Sequence, residues 1–237
     1  MAWHLPRLSD GLHRDFGSLR AMPTPMSPTR PPTVVIFDLG GVLIDWDPRY
    51  LYRQLFTDAD AMESFLAEVT TPAWNAEQDA GRTWAEAVAM LAERHPEQRD
   101  LIEAYHQRWS EMLAGAIEGT VAILEQLRGS VRLFALSNWS AETFPIALER
   151  FPFLTWFDGI VISGDVGAAK PDARIFEHLV ITYGIEPADA VFIDDNASNV
   201  EAAERLGFVA LQFVDERSLR ADLGRLGLLA LNTGLAE

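Results

Sequence analysis

The stretch Val34-Val35-Ile36-Phe37-Asp38-Leu39-Gly40-Gly41-Val42-Leu43-Ile44-Asp45 carries the fold. Its first four residues are β-branched or aromatic and show no polar alternation, the pattern of a strand buried on both faces. The run stops at Asp38, and Gly40-Gly41 directly after it supply a turn. The same design recurs twice. Val131-Arg132-Leu133-Phe134-Ala135-Leu136 runs into Ser137-Asn138, and Ala190-Val191-Phe192-Ile193 runs into Asp194-Asp195. Ile160-Val161-Ile162 and Val209-Ala210-Leu211 read as shorter strands of the same kind.

Helical patterns alternate with these strands. Residues 120–127 precede the second strand and 140–150 follow it. Residues 172–183, closed by Gly184, precede the third, and 198–206 follow it and stop at Gly207. Such alternation predicts an α/β fold, a parallel Rossmann-like sheet with helices on both faces. Ligands in such sheets bind at the carboxyl ends of the strands. Asp38, Ser137, Asn138, Asp194 and Asp195 all fall there.

Between residues 48 and 119 the alternation stops. Helices are expected over 48–56, 58–69, 83–94 and 96–113, with Thr83 and Glu86 in capping-box spacing and Pro96 in a first turn. This reads as an α-helical cap subdomain, 48–119, inserted into a core made of 33–47 and 120–237. Residues 1–32 hold six of the 13 prolines and carry four arginines against two acids, so they are expected to form a flexible N-terminal extension.

Composition narrows the function. The chain has 237 residues and no cysteine, which excludes disulfides, thiolate metal sites and cysteine nucleophiles. Its net charge of −16 disfavours nucleic acid and anionic membranes as partners. No apolar run approaches the ~20 residues that span a bilayer, so a soluble, cytoplasmic setting is expected. The sequence allows a homodimer without specifying one. Of 19 basic residues, Lys170 is the only lysine.

An Asp at one strand end is ordinarily a cap or turn residue. Three strands delivering carboxylates and a Ser-Asn pair to one edge, with the sole lysine close by, is a different matter. Converging acids repel one another unless a divalent cation lies between them, and oxygen-only donors favour Mg²⁺.

Phe37-Asp38-Leu39-Gly40-Gly41-Val42-Leu43-Ile44-Asp45, Leu136-Ser137-Asn138, Lys170-Pro171 and Ile193-Asp194-Asp195-Asn196 together resemble the four ordered motifs of the haloacid dehalogenase-like hydrolase superfamily. The likeness covers residues 33 to about 215. The insert position is similar to that of the helical-cap subfamily, and the Asp-Leu-Gly motif resembles sugar-phosphate phosphatases of the bacterial glucose-1-phosphate phosphatase type. The resemblance implies a Mg²⁺-dependent phosphatase of a small phosphorylated metabolite. Asp38 would be the nucleophile, forming an aspartyl-phosphate. Asp38, Gly40 (through its carbonyl) and Asp194 would hold Mg²⁺, with Asp195 and Asn196 in support. Ser137, Asn138 and Lys170 would bind the phosphate, Lys170 also neutralising charge in catalysis.

The sequence departs from that pattern at Gly40, where phosphatases of the superfamily usually carry a second Asp as general acid and base. The enzyme could use substrates with good leaving groups, draw on Asp45 or Asp47 instead, or bind phosphorylated ligands without turnover. A 2-haloacid dehalogenase, with the same nucleophile but no need of a metal, is the alternative enzyme.

Overall fold

The computed structural model describes residues 30–230. The expected N-terminal extension, up to residue 29, lies outside the described residues. Five parallel strands form the main sheet: β1 Val34–Phe37, β4 Arg132–Ser137, β5 Gly159–Ile162, β6 Ala190–Asp194 and β7 Val209–Gln212. Their order is β5-β4-β1-β6-β7, with β1 in the centre. Residues 34–37 pair in register with 132–135 on one side and 190–193 on the other. The chain thus leaves β1 for opposite sides of the sheet, and the crevice at such a switch point opens at the strands' carboxyl ends.

The period of two along each strand divides the core between the two faces. Val35, Phe37, Leu133, Ala135, Val191 and Ile193 belong to one buried cluster, and Val34, Ile36, Phe134, Leu136, Ala190 and Phe192 to another. The second face is covered by α9 Ala173–Tyr183 and α10 Ala197–Arg205, through Ile175, Phe176, Leu179, Ala202 and Ala203. The first face packs against α6 Glu118–Leu127, α7 Phe144–Arg150 and α11 Glu216–Arg225. The short α8 Ser163–Val166 follows β5 and closes on Gly167 in the left-handed region.

After β1 the chain makes a small antiparallel pair, β2 Ile44–Trp46 with β3 Leu113–Ala116. Between them lie α1 Arg49–Tyr52, α2 Ala59–Glu68, α3 Pro72–Asp79, α4 Trp84–Arg94 and α5 Arg99–Gln107. An aromatic knot of Trp74, Trp84 and Tyr105, with ring centroids 5.2–5.6 Å apart, forms the centre of this insert. Its cluster is continuous with the first face of the sheet. Trp84 also docks on the loop after β4: its indole N–H donates to Ser140 Oγ at 3.2 Å and its backbone N–H to Glu142 Oε1 at 3.0 Å. No described helix is long and apolar enough to cross a membrane.

The structure corrects several element boundaries. The helix expected over 96–113 is a 3₁₀ turn, then α5, then a second 3₁₀ turn at Trp109–Met112, and Leu113 begins a strand instead. Leu-Ala-Gly-Ala has no strand propensity of its own; pairing with β2 imposes it. The helix expected over 48–56 is regular only over Arg49–Tyr52, and the one expected from 140 starts at Phe144, residues 140–143 being a loop that receives the insert. Helix α3 was not anticipated, although Thr71 caps it by accepting the Trp74 N–H and Pro72 occupies its first turn. Helix α11 was also missed.

Candidate active site

Asp38 follows the last residue of β1, Ser137 ends β4 and Asp194 ends β6, so parallel pairing alone sets their side chains on one edge. Lys170 comes from the loop between α8 and α9. The Asn138 side chain locks that loop, donating to the Lys170 carbonyl at 2.9 Å and accepting the Lys170 N–H at 2.8 Å. The ammonium is fully buried and faces three oxygens. Nζ donates to the Leu136 carbonyl and Asp194 Oδ2, each at 2.7 Å, and lies 3.0 Å from Asp38 Oδ1.

Asp38 Oδ1 also accepts the Leu39 N–H and the Ser137 hydroxyl, both at 2.7 Å. Among the described residues no donor reaches Oδ2, which leaves that oxygen for a cation or an electrophile. Burial pushes the Asp38 carboxyl up to about 6; the Lys170 ammonium opposes this and the Asp194 charge adds to it. Burial works against the Lys170 ammonium, yet Asp38 and Asp194 outweigh it and hold its pKa above the ordinary value. Burial and then Asp194 raise Asp195.

Carboxylate oxygens of Asp38, Asp194 and Asp195 lie within 4.8 Å of one another. Three acids share one ammonium, and a hard divalent cation fits that surplus of oxygen donors and negative charge. Asp194 is held from below by the Asn196 backbone N–H at 2.9 Å and by the Asn199 amide, which reaches both its oxygens at 3.0 and 3.1 Å. Asn199 is a site residue the sequence reading missed. It lies one turn into α10, where an Asn is indistinguishable from a weak helix residue. The Asn196 side chain is instead the cap of α10, accepting from the Ser198 N–H and hydroxyl.

The turn after Asp38 constrains its two glycines differently. Gly41 has φ +73°, and a Cβ there would meet Asp195 Oδ2 at 2.5 Å. Gly40 has an ordinary φ and open space around it. Gly41→Ala is therefore expected to lower unfolding free energy by about 1–2 kcal/mol from backbone conformation alone. Gly40→Ala should stay within about 1 kcal/mol of the parent. Equal midpoint shifts in urea would contradict this assignment.

Asp45 and Asp47, the acids nearest in sequence to the turn, are both engaged. Asp45 accepts the Tyr50 hydroxyl at 2.8 Å, and Asp47 accepts the Arg49 backbone N–H at 2.8 Å. Trp139 is buried where core and insert meet, 5.4 Å from the Trp109 ring. His106 lies flat against Trp84, and burial lowers its pKa.

Residues 32–207 match the family model of haloacid dehalogenase-like hydrolases. The chain is a haloacid dehalogenase-like hydrolase. The hydrolase is 31% identical over 183 residues to drimenol cyclase drtB of Aspergillus calidoustus, a match covering 76% of this chain and 33% of that protein. It thus spans about one third of that relative. With the sesquiterpene phosphatase astK of Aspergillus oryzae it shares 27% identity over 208 residues, covering 81% of this chain and 94% of the phosphatase. Its fold is similar to that of the crystal structure of the HAD family enzyme bt-2542 from Bacteroides thetaiotaomicron in a magnesium complex. The TM-score is 0.62 at 23% identity, over 78% of this chain and 94% of that one.

Proposed function

We propose that the hydrolase is a Mg²⁺-dependent phosphomonoesterase that cleaves a small phosphorylated metabolite through an aspartyl-phosphate at Asp38. The observation that carries this reading is the trio of carboxylates within 4.8 Å of one another with a single ammonium between two of them. Displacing a halide from carbon gives no use for that surplus charge, whereas phosphoryl transfer does. Kinship with a sesquiterpene phosphatase over 94% of its length supports the same choice.

In this reading Asp38 attacks phosphorus, the bond to the leaving oxygen breaks, and water later releases phosphate and restores the carboxylate. Asp38, Asp194 and the Gly40 carbonyl would hold Mg²⁺, with Asp195 at the rim. When bound, the ion supplies positive charge against the phosphoryl oxygens. Lys170 fixes Asp38 and Asp194 and adds its own charge, while Ser137 and the Asn138 N–H hold the phosphate. The helical insert acts as a cap and selects the substrate. Sugar phosphates, suggested by the Asp-Leu-Gly motif, and sesquiterpene phosphates, suggested by the fungal relative, are the first substrates to test. Neither nucleic acid nor membrane is proposed as a partner, and the cytoplasm is the proposed compartment.

The test is p-nitrophenyl phosphate hydrolysis with Mg²⁺, with chelator, and with Mg²⁺ restored in excess. Activity should vanish in chelator and return with the metal. Asp194→Asn should raise the Mg²⁺ concentration needed for half-maximal rate by about 10-fold or more. Full activity in chelator, or none under any metal condition, would sink the reading.

A further inference from the structure

Gly40 offers no side chain to protonate a leaving oxygen, and Asp45 and Asp47 are bound to Tyr50 and Arg49. Asp79 is the last residue of α3, at the point where the insert meets the core. Just beyond it, Gly81 approaches the Gly164 carbonyl of α8, and Trp84 is fastened to Ser140 and Glu142. These contacts bring the end of α3, with its half-buried Asp79, to the loop that runs from Asn138 through Ser140 beyond the end of β4.

We propose that Asp79, reaching the crevice from α3 of the insert, is the proton donor to the leaving group and then the base for water, replacing the side chain that Gly40 lacks. The inference rests on the phosphatase reading above. In the first half-reaction Asp38 forms its bond to phosphorus and the ester P–O bond breaks. The departing alkoxide takes the Asp79 proton and leaves as the alcohol. In the second, water gives a proton to the Asp79 carboxylate as its oxygen attacks phosphorus. The bond from Asp38 to phosphorus breaks, and both carboxyl groups return to their starting states.

Local structure suits a carboxyl that must hold and lose a proton near neutrality. Asp79 sits at the carbonyl end of α3, where the helix dipole disfavours negative charge. Burial pushes its pKa up to about 7; the Ser140 N–H opposes this and the Asp38 charge reinforces it. Its neighbour Asn75 serves either state. The Asn75 amide nitrogen donates to Asp79 Oδ2 at 2.9 Å, and the amide oxygen is buried with no partner among the described residues. A half-turn of the amide would let that oxygen accept from the protonated acid.

The test compares p-nitrophenyl phosphate, a good leaving group, with glycerol phosphate, a poor one, at saturating Mg²⁺. Asp79→Asn should lower kcat on glycerol phosphate by ~10²–10⁴-fold and on the aryl ester by much less. Gly40→Asp, which the open space at Gly40 accommodates, should restore glycerol phosphate turnover in the Asp79→Asn background. A second arm does not need that variant to fold. In the parent, a ~10²-fold gain in glycerol phosphate turnover from Gly40→Asp would show that no donor is already present and would overturn the proposal. Equal losses on both esters in a folded Asp79→Asn protein would overturn it too. A parent inactive on the aryl ester with Mg²⁺ would overturn the phosphatase reading itself, and this proposal with it.

Discussion

Asp38→Asn is expected to reduce turnover by roughly 10⁴–10⁶-fold, the scale on which nucleophile removal acts, while the protein stays folded. The amide keeps an oxygen that can accept the Leu39 N–H and the Ser137 hydroxyl, the 2.7 Å contacts that orient the native carboxyl. What it loses is the second oxygen's charge, and that oxygen has no donor among the described residues. Lys170 keeps its Asp194 and Leu136 partners, so its ammonium is not left unpaired. Removing one carboxylate also relieves repulsion with Asp194. Thermal melting should accordingly move little. Rapid quenching with radiolabelled substrate should trap phosphate on the parent and none on the variant. Retained turnover, or label trapped in the variant, would remove Asp38 from the mechanism.

How far such a site can be read from sequence depends on which interactions build it. Parallel strands that end in Asp38, Ser137 and Asp194 advertise themselves, because a doubly buried strand is a run of apolar residues and its polar end is abrupt. Pairing of 34–37 with 132–135 and 190–193 then brings those ends together with no further information. Lys170 was legible as the sole lysine and through the Lys170-Pro171 motif, not from any strand end. Asn199 and Asp79 were not legible, since each owes its place to a helix whose rotation and docking are set by distant contacts. For Asn199 that is the packing of α10 on the sheet. For Asp79 it is the seating of Trp84 on the Ser140 loop, residues 56 positions apart in the chain. The β2–β3 pair was hidden for a related reason: Leu113-Ala114-Gly115-Ala116 becomes a strand only because Ile44–Trp46 lies beside it. Local propensity decides the sheet, and long-range docking decides the insert.

Lys170 should be the least replaceable side chain in the molecule. Its ammonium is completely enclosed and faces three oxygens that converge on one point, two of them from carboxylates. Lys170→Met would leave Asp38 and Asp194 facing each other without the charge that holds them. Breaking a buried pair in this way costs about 3–5 kcal/mol, so the urea midpoint should fall sharply. Lys170→Arg keeps the charge but changes its shape. A guanidinium spreads five N–H donors over a planar fork, which cannot serve three acceptors gathered around a single nitrogen, and its larger head overfills the site at a cost of about 1–3 kcal/mol. Both variants should lose at least ~10²-fold in kcat/KM through loss of positioned charge. Mg²⁺ separates the two. A ligand stabilises the fold in proportion to how tightly the native state binds it, and Lys170→Met adds one net negative charge to the cluster while Lys170→Arg does not. Mg²⁺ should therefore raise the Tm of Lys170→Met by more than that of the parent or of Lys170→Arg. Parental kcat/KM in Lys170→Arg would mean that the lone lysine of an arginine-rich chain is a remnant, and that charge alone, not its compact shape, is what the site requires.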